Sequence, residues 1–124
     1  MAGSPLILAV VQEMLSQELI ENSAKAESVD CLVVSDEDVL LAALQEGTPE
    51  VLLMDMGISS LDGPSLIQKI KQNPSTRRIP IVAFGNSLRA DLLQDAKEMG
   101  ADLVLPKSAF REQIAGIIRH YSKP

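Results

Sequence analysis

Short unbroken apolar runs alternate with longer stretches of helical spacing, and the alternation repeats five times along the chain. Leu6–Val11 (LILAVV) is apolar at every position, the pattern of a strand covered on both faces. From Glu13 the period lengthens, and Leu15, Leu19 and Ile20 fall on one helical face among Gln17, Glu18 and Glu21. Cys31–Val34 reads as a second strand. Ser35-Asp36-Glu37-Asp38 then supplies an N-cap and first-turn acids suited to the positive end of a helix. That helix runs through Val39–Leu44 and stops at Gly47 and Pro49. Val51–Met54 is a third strand, closed by Asp55. After the Gly- and Ser-rich loop Gly57–Gly63, Pro64 opens a third helix, with Leu66, Ile67 and Ile70 inward and Lys69 and Lys71 outward. Asn73-Pro74 ends it. Ile79–Phe84 is a fourth strand, followed by a turn at Gly85, Asn86 and Ser87. Leu92, Leu93, Ala96 and Met99 mark a fourth helix with Gly100 as its C-cap. Leu103–Leu105 is a fifth strand. Phe110, Ile114, Ile117 and Ile118 form one stripe on the last helix, which Tyr121 extends.

Five strand–helix units with short connections predict a parallel sheet with right-handed crossovers and helices on both faces. Composition narrows this further. The 124 residues make a single domain, 1–124, and aromatics are only 2%, so the core must be built from Leu, Ile, Val, Ala and Met. No apolar run approaches the roughly 18 residues of a membrane span. The apolar stretch Pro5–Val11 is short and has no basic segment before it, which argues against a signal peptide. A lone cysteine, Cys31, has no partner for an internal disulfide; its apolar flanks make it a core thiol, and a reducing, cytoplasmic setting follows. The net charge of −6 argues against non-specific binding to nucleic acid. The charge is unevenly placed: residues 1–62 hold 12 acids and one base, residues 63–124 hold 5 acids and 10 bases. Solvated helix faces would produce this, and so would a basic partner-binding face in the C-terminal half.

In open parallel sheets, sites form where the strands exit at their carboxyl ends. Those exits bring Val11, Gln12 and Glu13 after strand one and Asp55, Met56 and Gly57 after strand three. They bring Gly85, Asn86 and Ser87 after strand four, and Pro106, Lys107 and Ser108 near strand five. Asp55 and Lys107 are expected to converge on one crevice as an ion pair.

These positions resemble a known family. Val51–Gly63 (VLLMDMGISSLDG) is similar to the middle of a response-regulator receiver domain of the CheY-like type, in which an Asp ends strand three and Asp-Gly follows at seven and eight residues, here Asp62 and Gly63. Lys107, in VLPKS, lies 52 residues after Asp55, as the family's Lys does, and KIKQNPSTRRIPIVAF resembles its third helix and fourth strand. The resemblance spans essentially the whole chain. It implies a flavodoxin-like three-layer (βα)5 fold, α/β, with a five-stranded parallel sheet in the order 2-1-3-4-5. It implies a two-component or phosphorelay signalling domain rather than an enzyme. In that family the carboxylate at the Asp55 position attacks a phosphoryl group and forms an acyl phosphate. A divalent cation and the Lys neutralise its oxygens.

Several positions depart from the family pattern. The acidic pair after strand one falls on Val11 and Gln12, leaving Glu13 as the one acid nearby. The Ser/Thr position, thirty residues past Asp55, is Gly85, and the strand-five aromatic is Val104. Ile58-Ser59 and Ser108 replace further family residues. These losses point to a degenerate pseudo-receiver that needs no cofactor, with at most weak Mg2+ held by Asp55 and Glu13. Asp55 is then either a structural carboxylate or a working phosphoacceptor. The implied partners are proteins, a histidine kinase or another signalling protein, with no nucleic acid and no membrane. The implied partner or homodimer face is helix four, strand five and helix five, which carries Arg89, Lys97, Val104, Lys107, Arg111 and Arg119. A flavin-binding reading of the same fold lacks a Gly-rich loop after strand one and aromatics to stack on the ring.

Overall fold

The computed structural model describes residues 6–122. Pro5 and Pro124, at the ends of the sequence, lie outside the described residues. The elements are β1 (Leu6–Val10), α1 (Met14–Ala26), β2 (Asp30–Val34), α2 (Glu37–Glu46), β3 (Val51–Asp55), α3 (Gly63–Gln72), β4 (Ile81–Gly85), α4 (Ala90–Met99), β5 (Leu103–Pro106) and α5 (Lys107–Tyr121). A single 3-10 turn, Ser87–Arg89, precedes α4. All neighbouring strands pair in parallel, in the order β2-β1-β3-β4-β5. This is the flavodoxin-like α/β arrangement that the resemblance implied.

Successive side chains on a strand leave the sheet on opposite faces. Leu8, Val10, Leu52, Met54, Ile81 and Ala83 therefore pack in one layer with Leu40 and Leu44 of α2, Leu66, Ile67 and Ile70 of α3, and Ala96 of α4. Ile7, Ala9, Val51, Leu53, Val82 and Phe84 pack in the other with Ile20 and Ala24 of α1 and Phe110, Ile114, Ile117 and Ile118 of α5. The chain's two Phe residues meet in that second layer, where the rings of Phe84 and Phe110 stack 3.9 Å apart. Central β3 and β4 are buried at every residue, which is why they read as unbroken apolar runs.

Capping follows the sequence closely. Asp36 accepts from the Val39 N–H and Asp62 from the Ser65 N–H, with Pro64 in the first turn of α3. Gly100 ends α4 at φ 117°, a left-handed conformation that suits glycine.

Four expectations need correcting. Leu15 is 69% exposed, because the buried line of α1 is Ser16, Ile20 and Ala24 and Leu15 lies about 100° off it. The fourth strand begins at Ile81 rather than Ile79: the Ile79 N–H turns back to Thr76 O, and Pro80 contributes only its carbonyl, to the Leu52 N–H. Cys31, on the edge strand β2, is half-buried rather than a core residue, and burial, aided by the charge of Glu21, pushes its thiol up to about 11. Almost no thiolate then exists near neutrality.

Lys71 does not point outward. Its ammonium donates to Ile79 O and to Asp102 Oδ2, both at 2.8 Å, and to Arg77 O at 3.3 Å. Asp102 Oδ2 also accepts from the Ile81 N–H at 2.8 Å. This clamp ties α3 to the start of β4 and to the α4–β5 turn. A Cβ at Gly100 would sit 3.0 Å from Lys71 Cγ, so the glycine that caps α4 also lets the lysine stem pass. We expect Lys71→Met to cost about 1–3 kcal/mol of unfolding free energy. A lower urea midpoint at unchanged slope would report it. Lys69→Met, which breaks only the exposed pair with Glu37, should leave the midpoint nearly unchanged. Equal losses from the two variants would refute the clamp.

Candidate functional site

Asp55 is the last residue of β3 and shares its pleat direction with Leu53, so its carboxylate faces the α1/α5 side. There it lines a cleft of about 290 Å3 with Gln12, Glu13, Gly57, Ile58 and Lys107. Asp55 is 7% exposed, and its Oδ1 accepts the Gly57 N–H at 2.8 Å. The loop Met56-Gly57 thus folds back onto the carboxylate that precedes it.

Lys107 is the first residue of α5, fixed there by Pro106 at the helix N-cap. Its ammonium lies 3.3 Å from Glu13 Oε2. Among the described residues no ion pair joins it to Asp55, which corrects the expected Asp55–Lys107 pair. Glu13 stands at the N-cap of α1, nearer in reach and half-exposed, and an anion there costs little to keep charged. Its other oxygen accepts from the Ser16 hydroxyl at 2.8 Å. The Ser16 bond first, and Lys107 second, hold the Glu13 carboxyl below its usual range. Three residues separate Glu13 from Ser16, one helical turn, so the contact was available from spacing once the start of α1 was known.

The positions of the family's acidic pair lie differently. Val11 follows Ile7 and Ala9 in pleat direction, is 1% exposed and packs in the α1/α5 layer, on the side that Asp55 faces. Gln12 is exposed on the rim of the cleft. Among the described residues no three Asp, Glu, His or Cys side chains gather to hold a metal ion. Asp55 and Glu13 supply the only carboxylates of the cleft, and Glu13 is already engaged by Lys107 and Ser16. Mg2+ is commonly held by one or two carboxylates together with waters and phosphate oxygens, so Asp55, with Glu13 partly engaged, would hold it weakly at most.

Gly85 ends β4 with the pleat direction of Ala83, on the opposite side of the sheet from Asp55. A Cβ there would lie 3.4 Å from Leu93 Cδ2 and from Met56 Cβ, ordinary packing distances, so the missing hydroxyl is not forced by crowding. Of the residues implied as a partner face, Arg89 pairs with Asp91 and Arg119 reaches Glu27 at the C-cap of α1, while Lys97 and Arg111 make no ion pair among the described residues. Val104 is half-buried against the α4 layer. The same segment holds Asp91, Asp95, Glu98, Asp102 and Glu112, so its charge is balanced rather than basic. The basic excess lies earlier: residues 63–89 carry Lys69, Lys71, Arg77, Arg78 and Arg89 and no acid.

Because Glu13 titrates below its unfolded value, its contribution to stability is present at neutral pH and fades as pH falls through the folded value. We expect carboxyl NMR titration to show the Glu13 pKa rising in Ser16→Ala and in Lys107→Met, with the larger rise in Ser16→Ala. A Glu13 titration unmoved by Lys107→Met would mean that the two side chains do not meet.

Residues 7–119 match the family model described as the response regulator receiver domain. The chain is 27% identical over 112 residues to the response regulator Rcp1 of Synechocystis sp., covering 83% of this chain and 76% of Rcp1. It is 30% identical over 102 residues to the response regulator PleD of Caulobacter vibrioides, covering 82% of this chain but only 22% of PleD. In structure it is similar to the Mn(2+)-bound form of Rcp1, at 23% identity and TM-score 0.82, covering 96% of this chain and 95% of that one. It is also similar to the phosphorylated cyanobacterial phytochrome response regulator RcpA, at 20% identity and TM-score 0.85, covering 98% and 96%. With that match over residues 7–119 and this strand order, the chain belongs to the response regulator receiver domain family of two-component signalling.

Proposed function

We propose that this domain signals in the cytoplasm by binding protein partners, largely without phosphorylation of Asp55. The observation that carries this reading is the Glu13–Lys107 pair. The cation that would neutralise a phosphoryl group at Asp55 is directed to another carboxylate, and the acid positions beside it are Val11 and Gln12. Each ionised ligand missing from a metal site removes about 1–3 kcal/mol, on the order of tenfold or more in affinity. Gly85 leaves no hydroxyl to engage a phosphate, and Val104 no aromatic to respond to one. We place partner contact on α4, β5 and α5, including a second copy of the chain, with Lys97 and Arg111, which make no ion pair among the described residues, as its available cations. Met14 and Leu15, 71% and 69% exposed on the first turn of α1, add an apolar contact beside the Asp55 cleft.

One observation favours a second reading. Asp55 ends the central strand with Oδ1 held by Gly57, and its cleft has Lys107 on the wall. In that reading an oxygen of Asp55 attacks the phosphorus of a phosphohistidine on a histidine kinase, the P–N bond breaks, and Asp55 becomes an acyl phosphate.

Incubation with Mg2+ and acetyl phosphate, followed by intact mass, separates the two. The first reading expects little or no gain of a phosphoryl group in the wild type and none in Asp55→Asn. Rapid stoichiometric labelling that disappears in Asp55→Asn would overturn it and establish the second.

A further inference from the structure

A second and larger cavity, about 490 Å3, lies on the other side of the β3 and β4 exits from Asp55. Its size falls within the roughly 300–1,000 Å3 of small-molecule sites. Gly85 is one of its lining residues and adds no side chain to it. Met56 and Ile58 are buried in its wall, and Leu61, Leu92 and Leu93 are half-buried there. Polar groups sit at the exposed rim. Asn86 spends its Oδ1 on the Leu88 N–H at 2.9 Å, so the group it has left is its NH2, a donor. Arg89 gives Nε and one terminal nitrogen to Asp91, at 3.2 and 3.1 Å, and keeps the other terminal nitrogen. Across the opening, Asp62 has Oδ1 engaged by the Ser65 N–H and would repel an anion on its own side. The lining is polar and apolar in about equal parts, and with donors at Asn86 and Arg89 and an acid opposite it suits a molecule with an apolar body and one acceptor group aimed at Asn86 and Arg89.

We propose that this cavity binds a small, largely apolar carboxylate, and that its occupancy, rather than phosphate at Asp55, sets the position of the Ser87–Arg89 turn and α4. The cavity wall includes Met56, Gly57 and Ile58, the loop that also folds onto Asp55, and Leu92 and Leu93 of α4. A ligand there presses on the segment between β4 and α4, the segment that Gly85 cannot move through a hydroxyl. This regulatory half rests on the reading that Asp55 is not the input; the binding half does not.

The probe is 2-naphthoate, with 2-naphthamide as its uncharged counterpart, titrated into the full chain and followed by amide NMR. Saturable one-to-one binding at about 1 mM or tighter is expected, with shifts at Ile58, Gly85, Asn86 and Leu93. Arg89→Ala should weaken naphthoate on the order of tenfold and leave naphthamide unchanged, as the loss of a charge-assisted bond predicts. Gly85→Leu, which projects a side chain into the cavity, should abolish both. No saturable shift, equal binding of the two probes, or shifts that survive Gly85→Leu would overturn the site. Shifts reaching Lys97 and Val104 support the regulatory half, and shifts confined to the lining overturn it. Phosphoryl labelling of Asp55 in the same sample would overturn the phosphate-independent reading and the regulatory half with it, while the naphthoate titration would still decide the cavity.

Discussion

Both central strands are buried on two sides, and a pleated strand with two covered faces must send alternate side chains into opposite layers. From this one constraint the working parts of the molecule take their places. Leu53 and Asp55 go to the layer of α1 and α5; Ala83 and Gly85 go to the layer of α3 and α4. A slip of one residue in β3 would put Asp55 among Leu66 and Ile67 and bring Met54 into the cleft, exchanging a charge for a thioether on both sides of the sheet. The buried register of β3 against β1 and β4 prevents that slip.

The electrostatics of the cleft then follow from which elements end beside Asp55. α1 begins there with Glu13, and α5 begins there with Lys107, so a partly exposed pair forms between two helix starts 94 residues apart in the chain. Such a pair adds little to stability, about 0.2–1 kcal/mol at this exposure. Its weight is in where it holds the ammonium. Val11, packed with Ile7 and Ala9, fills with methyl groups a place that would need a desolvated carboxylate. On the far face, Gly85 lines the larger cavity without adding a side chain to it.

Much of this could be read from the chain. The five apolar runs, the caps at Asp36, Asp62 and Gly100, and the spacing of Asp55 to Asp62, Gly63 and Lys107 are local or one-dimensional features, and each survives in the fold. Where the reading failed, the cause was a contact between distant segments. Leu15 has a helical neighbour at Leu19 but no surface above it. Lys71 looked solvated because Asp102 and the carbonyls of Arg77 and Ile79 are brought to it only by the packing of α3 and α4.

The sequence by itself determined the strand–helix alternation, the family, and the position of Asp55 at a buried strand's exit, because periodicity and spacing are properties of the chain alone. It also determined which groups are missing, since a valine side chain has no ligand atom and a glycine has no hydroxyl. Only the tertiary structure decided that Lys107 turns to Glu13 and not to Asp55, because that choice depends on distances between three elements. It alone decided that the space beside Gly85 stays open, because a void is set by how Met56 and Leu93 pack around it and leaves no trace in any single residue.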